Sequence, residues 1–364
     1  MLPLPPKPDA RPDKVSLWRY MRLFRQDILS AQPAKLYRAW MAEFRTPFFR
    51  SYLINDADLL KTVLNDRPTD FPKSERIGAG LRPLLGESVF LTNGAQWEQQ
   101  RRIIDPAFEG GRLRDTFPGM VAAGQAGVLR MNMAADGSPQ EIEAISSHIA
   151  ADVIFRTLFS IPIEDATAQE VFVAFQAYQR SQPILNLAAF VSGPRWMPRF
   201  FRSSTRRSAQ TIRTLITQLT QDRLAQIAAG TAPDDLATKI MTTKDPKTGA
   251  TFSVDEMVDQ VAIFFLAGHE TSASALAWSL YLLALYPEWQ DKLATEASAF
   301  DGSFAGLTEL SKTRDVLRET LRLYPPVPMM VRETTQPESF RGRKVKPGAQ
   351  SVLSPWHLHR HNRT

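Results

Sequence analysis

The run VAIFFLAGHETSASALAWSLYLLALY, residues 261–286, constrains this chain more than any other stretch. A helix apolar on all sides must either sit at the centre of a fold or cross a membrane. By length it could span a bilayer, but His269 and Glu270 would then lie near the bilayer centre. Its flanks carry Asp255, Glu256 and Asp259 before and Glu288 and Asp291 after, without the Lys/Arg asymmetry of a spanning segment. The reading is a buried core helix with no membrane span. Ser253 and Glu256 match the capping box S-x-x-E and Pro287 closes the other end, so the helix is predicted from Ser253 to Tyr286, ~50 Å at ~1.5 Å per residue.

The polar cluster AGHET, residues 267–271, interrupts that run at its middle. Thr271 can bond back to the carbonyl of Ala267, which competes with the helix ladder and bends it, and Gly268 allows a close approach to the backbone. Glu270 at such depth needs a partner or water, and water with an acid and an alcohol forms a proton route. The competing reading is a satisfied polar cluster that pins one helix against another. HETSA begins like the zinc motif H-E-x-x-H, but position 273 is Ala and the second ligand is missing.

From Asp56 to about Gly230 the period is helical: DADLLKTVLND, AQWEQQRRIIDPAF, SSHIAADVIFRTLF and AQTIRTLITQLTQDRLAQIAA. The pattern fails at residues 183–207, where aromatic and basic residues crowd together. That stretch reads as a helix connection with snorkelling arginines, with a lid or membrane-touching surface as the alternative. After the central helix come PEWQDKLATEASAF and LTELSKTRDVLRETLRLY, then short strand-like pieces, MMVRET, ESF and KVKPGAQSVLS, with turns at RGR and KPG. The expected fold is mainly α with a small β portion, in one domain over 1–364, preceded by a Pro-rich N-terminal arm over residues 1–15. The +6 formal charge is spread without a basic stripe, which argues against nucleic acid as a partner.

Three further clusters carry chemistry. Glu319 and Arg322 stand three apart on one helix face and, before a Tyr-Pro-Pro stop and an apolar strand, are expected to be buried. Trp97 and Arg101 lie one turn apart, as binding of a carboxylate would need, although an aromatic-Arg packing pair also explains the spacing. His357, His359 and His361 in WHLHRH have strand spacing, but no carboxylate or second cluster supports a metal site there.

In this order, these pieces resemble the cytochrome P450 family of haem-thiolate monooxygenases. AGHET is similar to the family's oxygen-activating motif, ETLR at 319–322 to its Glu-x-x-Arg, and WEQQR at 97–101 to its haem-propionate contact; Arg332 in MMVRET falls where a further propionate-binding arginine is expected. The resemblance implies a haem b cofactor with Trp97, Arg101 and Arg332 on the propionates and Ala267 and Gly268 flanking the haem and oxygen. Glu270 and Thr271 would guide protons, and Glu319 and Arg322 would be structural. It further implies O₂, a small apolar organic substrate, a ferredoxin or reductase as electron donor, a cytoplasmic location, and substrate contacts around residues 76–90 and 179–199.

One departure stands out: the family ligates iron through a cysteine, and this sequence has none. Thiolate donation favours O–O cleavage, and neither His nor Thr reproduces it. The chain is therefore expected to be cut short before its ligand loop, incomplete at the C-terminus and inactive as it stands, with part of its core exposed. The alternative is a non-catalytic helical scaffold that binds a small apolar ligand or a protein.

Overall fold

The computed structural model describes residues 4–45, 50–109, 111–181 and 203–362. Along the chain run α1 (Leu17–Gln26), β1 (Met41–Arg45), β2 (Arg50–Ile54), α2 (Ala57–Lys61), α3 (Glu75–Leu85), α4 (Gly94–Ile104), α5 (Gly111–Ala134), α6 (Ile142–Phe159) and α7 (Ala166–Ser181). There follow α8 (Ser203–Ala229), α9 (Leu236–Thr242), α10 (Val254–Leu285), α11 (Pro287–Ser298), α12 (Ser311–Leu323), β3 (Met330–Glu333), β4 (Glu338–Phe340), β5 (Arg343–Val345), β6 (Gln350–Leu353) and α13 (Pro355–Leu358). The fold is mainly α with a small β portion, as the sequence predicts. The chain divides into two compact units, residues 1–81, 180–201 and 319–364 in one and residues 82–179 and 202–318 in the other.

The first unit holds the sheet, in the order β1-β2-β6-β3, beside a separate β4-β5 hairpin. The inner strand β2 pairs antiparallel with β1 and parallel with β6, Ser51 opposite Gln350 and Ile54 opposite Leu353. Alternation along β2 explains its burial on both sides. Tyr52 and Ile54 join Val63, Phe71, Phe340 and Leu353 on one face, while Leu53 joins Leu36, Ala42 and Val352 on the other. The β4-β5 turn places Arg341 and Gly342 at φ 47° and 76°, which suits a two-residue hairpin with glycine second. The N-terminal arm is tethered: Arg11 Nε donates to Ala31 O at 2.6 Å, and Tyr324 Oη to Pro6 O at 2.8 Å.

The second unit is built around α10. Its start is the predicted capping box: Glu256 N donates to Ser253 Oγ at 3.3 Å and Ser253 N to Glu256 Oε2 at 2.9 Å. Its end is capped by Tyr286, with Pro287 opening α11. α10 packs against α6 and α8, and α5 packs on α6. From Met257 to Ile263 every residue of α10 is buried, including Asp259 and Gln260. Asp259 is satisfied, with Arg213 Nη1 and Glu87 N donating to it at 2.7 and 2.8 Å, whereas Gln260 is paired only at Oε1, which accepts from Val89 N at 2.9 Å. Phe265 seats between Phe155 and Phe175, with ring centroids 4.6 and 4.7 Å away, a burial worth roughly 1.5–3 kcal/mol. Among the described residues no helix is long and apolar enough to cross a membrane.

Candidate active site

Past Phe265 the burial of α10 becomes one-sided. His269 and Ala273 are buried, whereas Ala267 and Glu270 are exposed and Thr271 and Ser274 partly so. Residues 267, 270, 271 and 274 share one face of a helix, so a small and polar stripe opens in the middle of an otherwise apolar rod. Thr271 Oγ1 donates to Ala267 O at 2.7 Å, the predicted back-bond, and α10 remains helical through it. Gly268 turns its bare side to α6: a Cβ there would lie 2.3 Å from Ile154 Cδ1. Its lack of a side chain serves the approach of two helices.

His269, 2% exposed, faces the same way as Gly268. Its Nε2 lies 2.7 Å from Ser147 Oγ on α6, and Phe172 stands edge-on at 5.6 Å. Burial pushes this imidazole down to about 4, so it is neutral at pH 7. AGHET is thus two-faced, with Gly268 and His269 pinning α6 while Ala267, Glu270 and Thr271 face outward.

The partner that Glu270 requires comes from α7. Gln179 Nε2 donates to Glu270 Oε1 at 2.5 Å. Solvent reaches the outer side of Glu270, but the protein crowded beneath its carboxyl pushes the pKa up, and the bond from Gln179 pulls it back down. The adjacent Tyr178 is buried, and burial first, then the charge of Glu270, pushes its hydroxyl up to about 12. No sequence pattern marks Gln179, because the contact joins residues 91 apart.

On α4, Arg101 lies over the Trp97 ring, 5.6 Å from its centroid, and pairs with Asp105 at 2.6 Å. The pair thus packs as an aromatic-Arg contact, and the guanidinium meets the carboxylate of Asp105, the C-cap residue just past α4. The neighbour Arg102, which sequence reasoning passed over, makes the tighter tie: its Nε and Nη2 donate to buried Asp245 at 2.6 and 3.0 Å. That pairing holds the Asp245 carboxyl well below the usual carboxylate range.

In the other unit, Arg322 donates to both oxygens of Glu319 at 2.7 Å, but the side chains are 46% and 53% exposed. The expected burial of this pair is thus corrected: Leu317 and Leu321 beside it are also exposed, and no apolar surface among the described residues covers them. Arg332 on β3 is half-buried, and its guanidinium has no hydrogen-bond or ion-pair partner among the described residues. Desolvation lowers its pKa. The WHLHRH segment forms the short helix α13 and the turn after it, so its histidines lack strand spacing. His357 Nδ1 lies 2.7 Å from Ser354 Oγ, His359 bonds the carbonyl of Arg322, and His361 stacks on Trp40 at 3.8 Å. Among the described residues no group of three or more His, Cys, Asp and Glu could hold a metal ion.

The structure thus brings Ala267, Gly268, Glu270 and Thr271 together with Gln179, and pairs Trp97 with Arg101, all within the second unit, while Glu319, Arg322 and Arg332 belong to the first. Of the segments expected to touch substrate, residues 182–199 lie outside the described residues. Within the second unit, the small-residue stripe of α10 leaves the outer face of that helix without bulk at Ala267. An axial thiolate is not among the residues of this sequence.

The structure is thus a mainly α fold with a long helix whose outer face is opened by Ala267, Glu270 and Thr271, with a Glu-x-x-Arg pair and a small sheet. The family model for cytochrome P450 matches residues 31–363. Curated relatives include cyclooctat-9-en-7-ol 5-monooxygenase of Streptomyces melanosporofaciens, 31% identical over 96% of this chain and 73% of its own length. Human cytochrome P450 4X1 is 29% identical over 87% of this chain and 65% of its own, and cyclooctatin synthase of the same Streptomyces 29% over 77% and 60%. The chain belongs to the cytochrome P450 family, whose members are haem-iron enzymes, and it spans about three-fifths to three-quarters of the length of these relatives.

Proposed function

We propose that the complete protein is a haem-dependent monooxygenase that inserts one oxygen atom of O₂ into an apolar organic substrate, with electrons from a separate ferredoxin or reductase in the cytoplasm. The outward stripe of Ala267, Glu270 and Thr271 on α10 carries this reading: a small residue beside an acid and an alcohol, on a helix otherwise apolar. Haem, when bound, supplies the reductive activation of dioxygen. Ala267 would leave room for a flat macrocycle, Trp97 and Arg101 would hold a propionate, and Arg332 would serve as a further propionate-binding arginine. The Thr271 hydroxyl holds a proton at Oγ1, and Glu270 takes up and releases one at its carboxylate. Glu319 and Arg322 fasten α12 to the segment at His359. A relative named for oxidation of a largely hydrocarbon alcohol supports an apolar substrate.

The absence of cysteine favours one alternative for the sequence as it stands, a non-catalytic scaffold that binds an apolar ligand or a protein. The deciding experiment is a reduced, carbon monoxide-bound absorption spectrum after haem addition. It is run on this chain and on the chain joined to a cysteine-bearing ligand loop taken from a cytochrome P450 relative. A thiolate-type red-shifted band in the joined form alone supports the monooxygenase. No haem binding by either form sinks it and leaves the scaffold.

A further inference from the structure

We propose that Gln179 on α7 is a positioning residue for Glu270, clamping one carboxylate oxygen so that the other is left for proton exchange. This rests on the proton role given to Glu270 above. The amide of Gln179 donates to Oε1. Oε2 has no partner among the described residues, and Glu270 makes no ion pair there. A donor on one carboxylate oxygen stabilises charge at that atom and leaves the other as the site where a proton is taken up. The clamp is an amide, which does not titrate, so it persists whether Glu270 is charged or neutral.

The surroundings of Glu270 fit this assignment. The adjacent α7 side chain Tyr178 is a titratable group that feels the charge of Glu270. His269, next to Glu270 on α10, is turned to Ser147 on α6 and is neutral at pH 7. No cation among the described residues holds the carboxylate, so its orientation falls to Gln179. An arginine or lysine in that place would bind the charge strongly and keep the proton off. A glutamine gives direction with little such cost.

The test uses the chain labelled with ¹³C at glutamate side-chain carboxyls, with the Glu270 resonance assigned by its loss in Glu270→Gln. Titration followed by NMR should show a higher midpoint for Glu270 in Gln179→Leu than in the parent, and a higher midpoint again in Gln179→Glu, where a like charge replaces the donor. Unchanged circular dichroism keeps the comparison to folded chains, and if Gln179→Leu fails to fold, Gln179→Glu alone carries the test. An unaltered midpoint in the folded variants overturns the proposal. A second arm reads the solvent isotope effect on dioxygen consumption by the haem-loaded, full-length protein. If Glu270→Gln leaves that effect unchanged while the NMR midpoints move, the clamp stands and the proton role of Glu270 falls.

Discussion

Arg322 and His359 hold each other by reciprocal bonds: Arg322 Nη1 donates to the carbonyl of His359 at 2.9 Å, and His359 Nδ1 meets the carbonyl of Arg322 at 3.0 Å. The pair ties the last turn of α12 to the turn after α13, while Glu319 orients the guanidinium. An exposed ion pair contributes about 0–1 kcal/mol and a net hydrogen bond about 1 kcal/mol. Arg322→Ala is therefore expected to cost about 1–2 kcal/mol in urea unfolding and Glu319→Gln about 1 kcal/mol or less. Equal losses would show that the carboxylate, and not His359, is the main partner.

Two buried histidines make the fold sensitive to mild acid. Burial, first of the causes in each, brings His269 and His357 down to about 4 from the ordinary 6.5. Each folded-state pKa lies below its unfolded value, so the stability it confers is full above about 6.5 and is lost as pH falls toward 4. A shift of this size corresponds to roughly 3 kcal/mol per group at order of magnitude. Unfolding free energy measured between pH 7 and 4 should fall steeply, and His269→Phe should flatten the curve. A flat curve in the parent would contradict the neutral imidazoles.

The bare face of Gly268 leads to a paired substitution. A Cβ there overlaps Ile154 Cδ1, the far end of a flexible side chain, so Gly268→Ala should destabilise by about 1–3 kcal/mol. Ile154→Val removes the offending carbon, and the double variant should recover part of the loss. Additive costs in the double-mutant cycle would place the strain elsewhere.

Below pH 4 another group takes over. Arg102, with Thr248 and the Lys247 amide, holds Asp245 well below the usual carboxylate range. A depressed folded pKa means stability present above the unfolded value of about 3.9 and lost as pH falls through the folded one. Asp245→Asn should lower stability at pH 7 and weaken the pH dependence below about 4, measured by urea midpoints. An unaltered acid limb would remove Asp245 from the account.

The long helices were legible because periodicity, caps and prolines are local signals. Ser253, Glu256 and Pro287 mark the ends of α10 to within a residue, and RGR and KPG fall where Gly342 and Gly348 take positive φ. The hairpin of β1 and β2 went unread, since β2 is completed by β6 from the far end of the chain. The outward half of AGHET was visible as polar residues in an apolar run. Its inward half, Gly268 on Ile154 and His269 on Ser147, needed the packing of α6, just as the partner of Glu270 needed α7.

The parallel pairing of Ser51 with Gln350 also sets a timetable for synthesis. At roughly 5–20 residues per second a ribosome needs ~15–60 s to add the ~300 residues between them. Through that interval β2 has an open edge, and the side chains destined for both faces of the sheet wait without their cover. Nascent chains of this protein are therefore expected to need protection from chaperones until β6 leaves the exit tunnel. The segment from Arg50 to Ile54 should be where stalled chains aggregate.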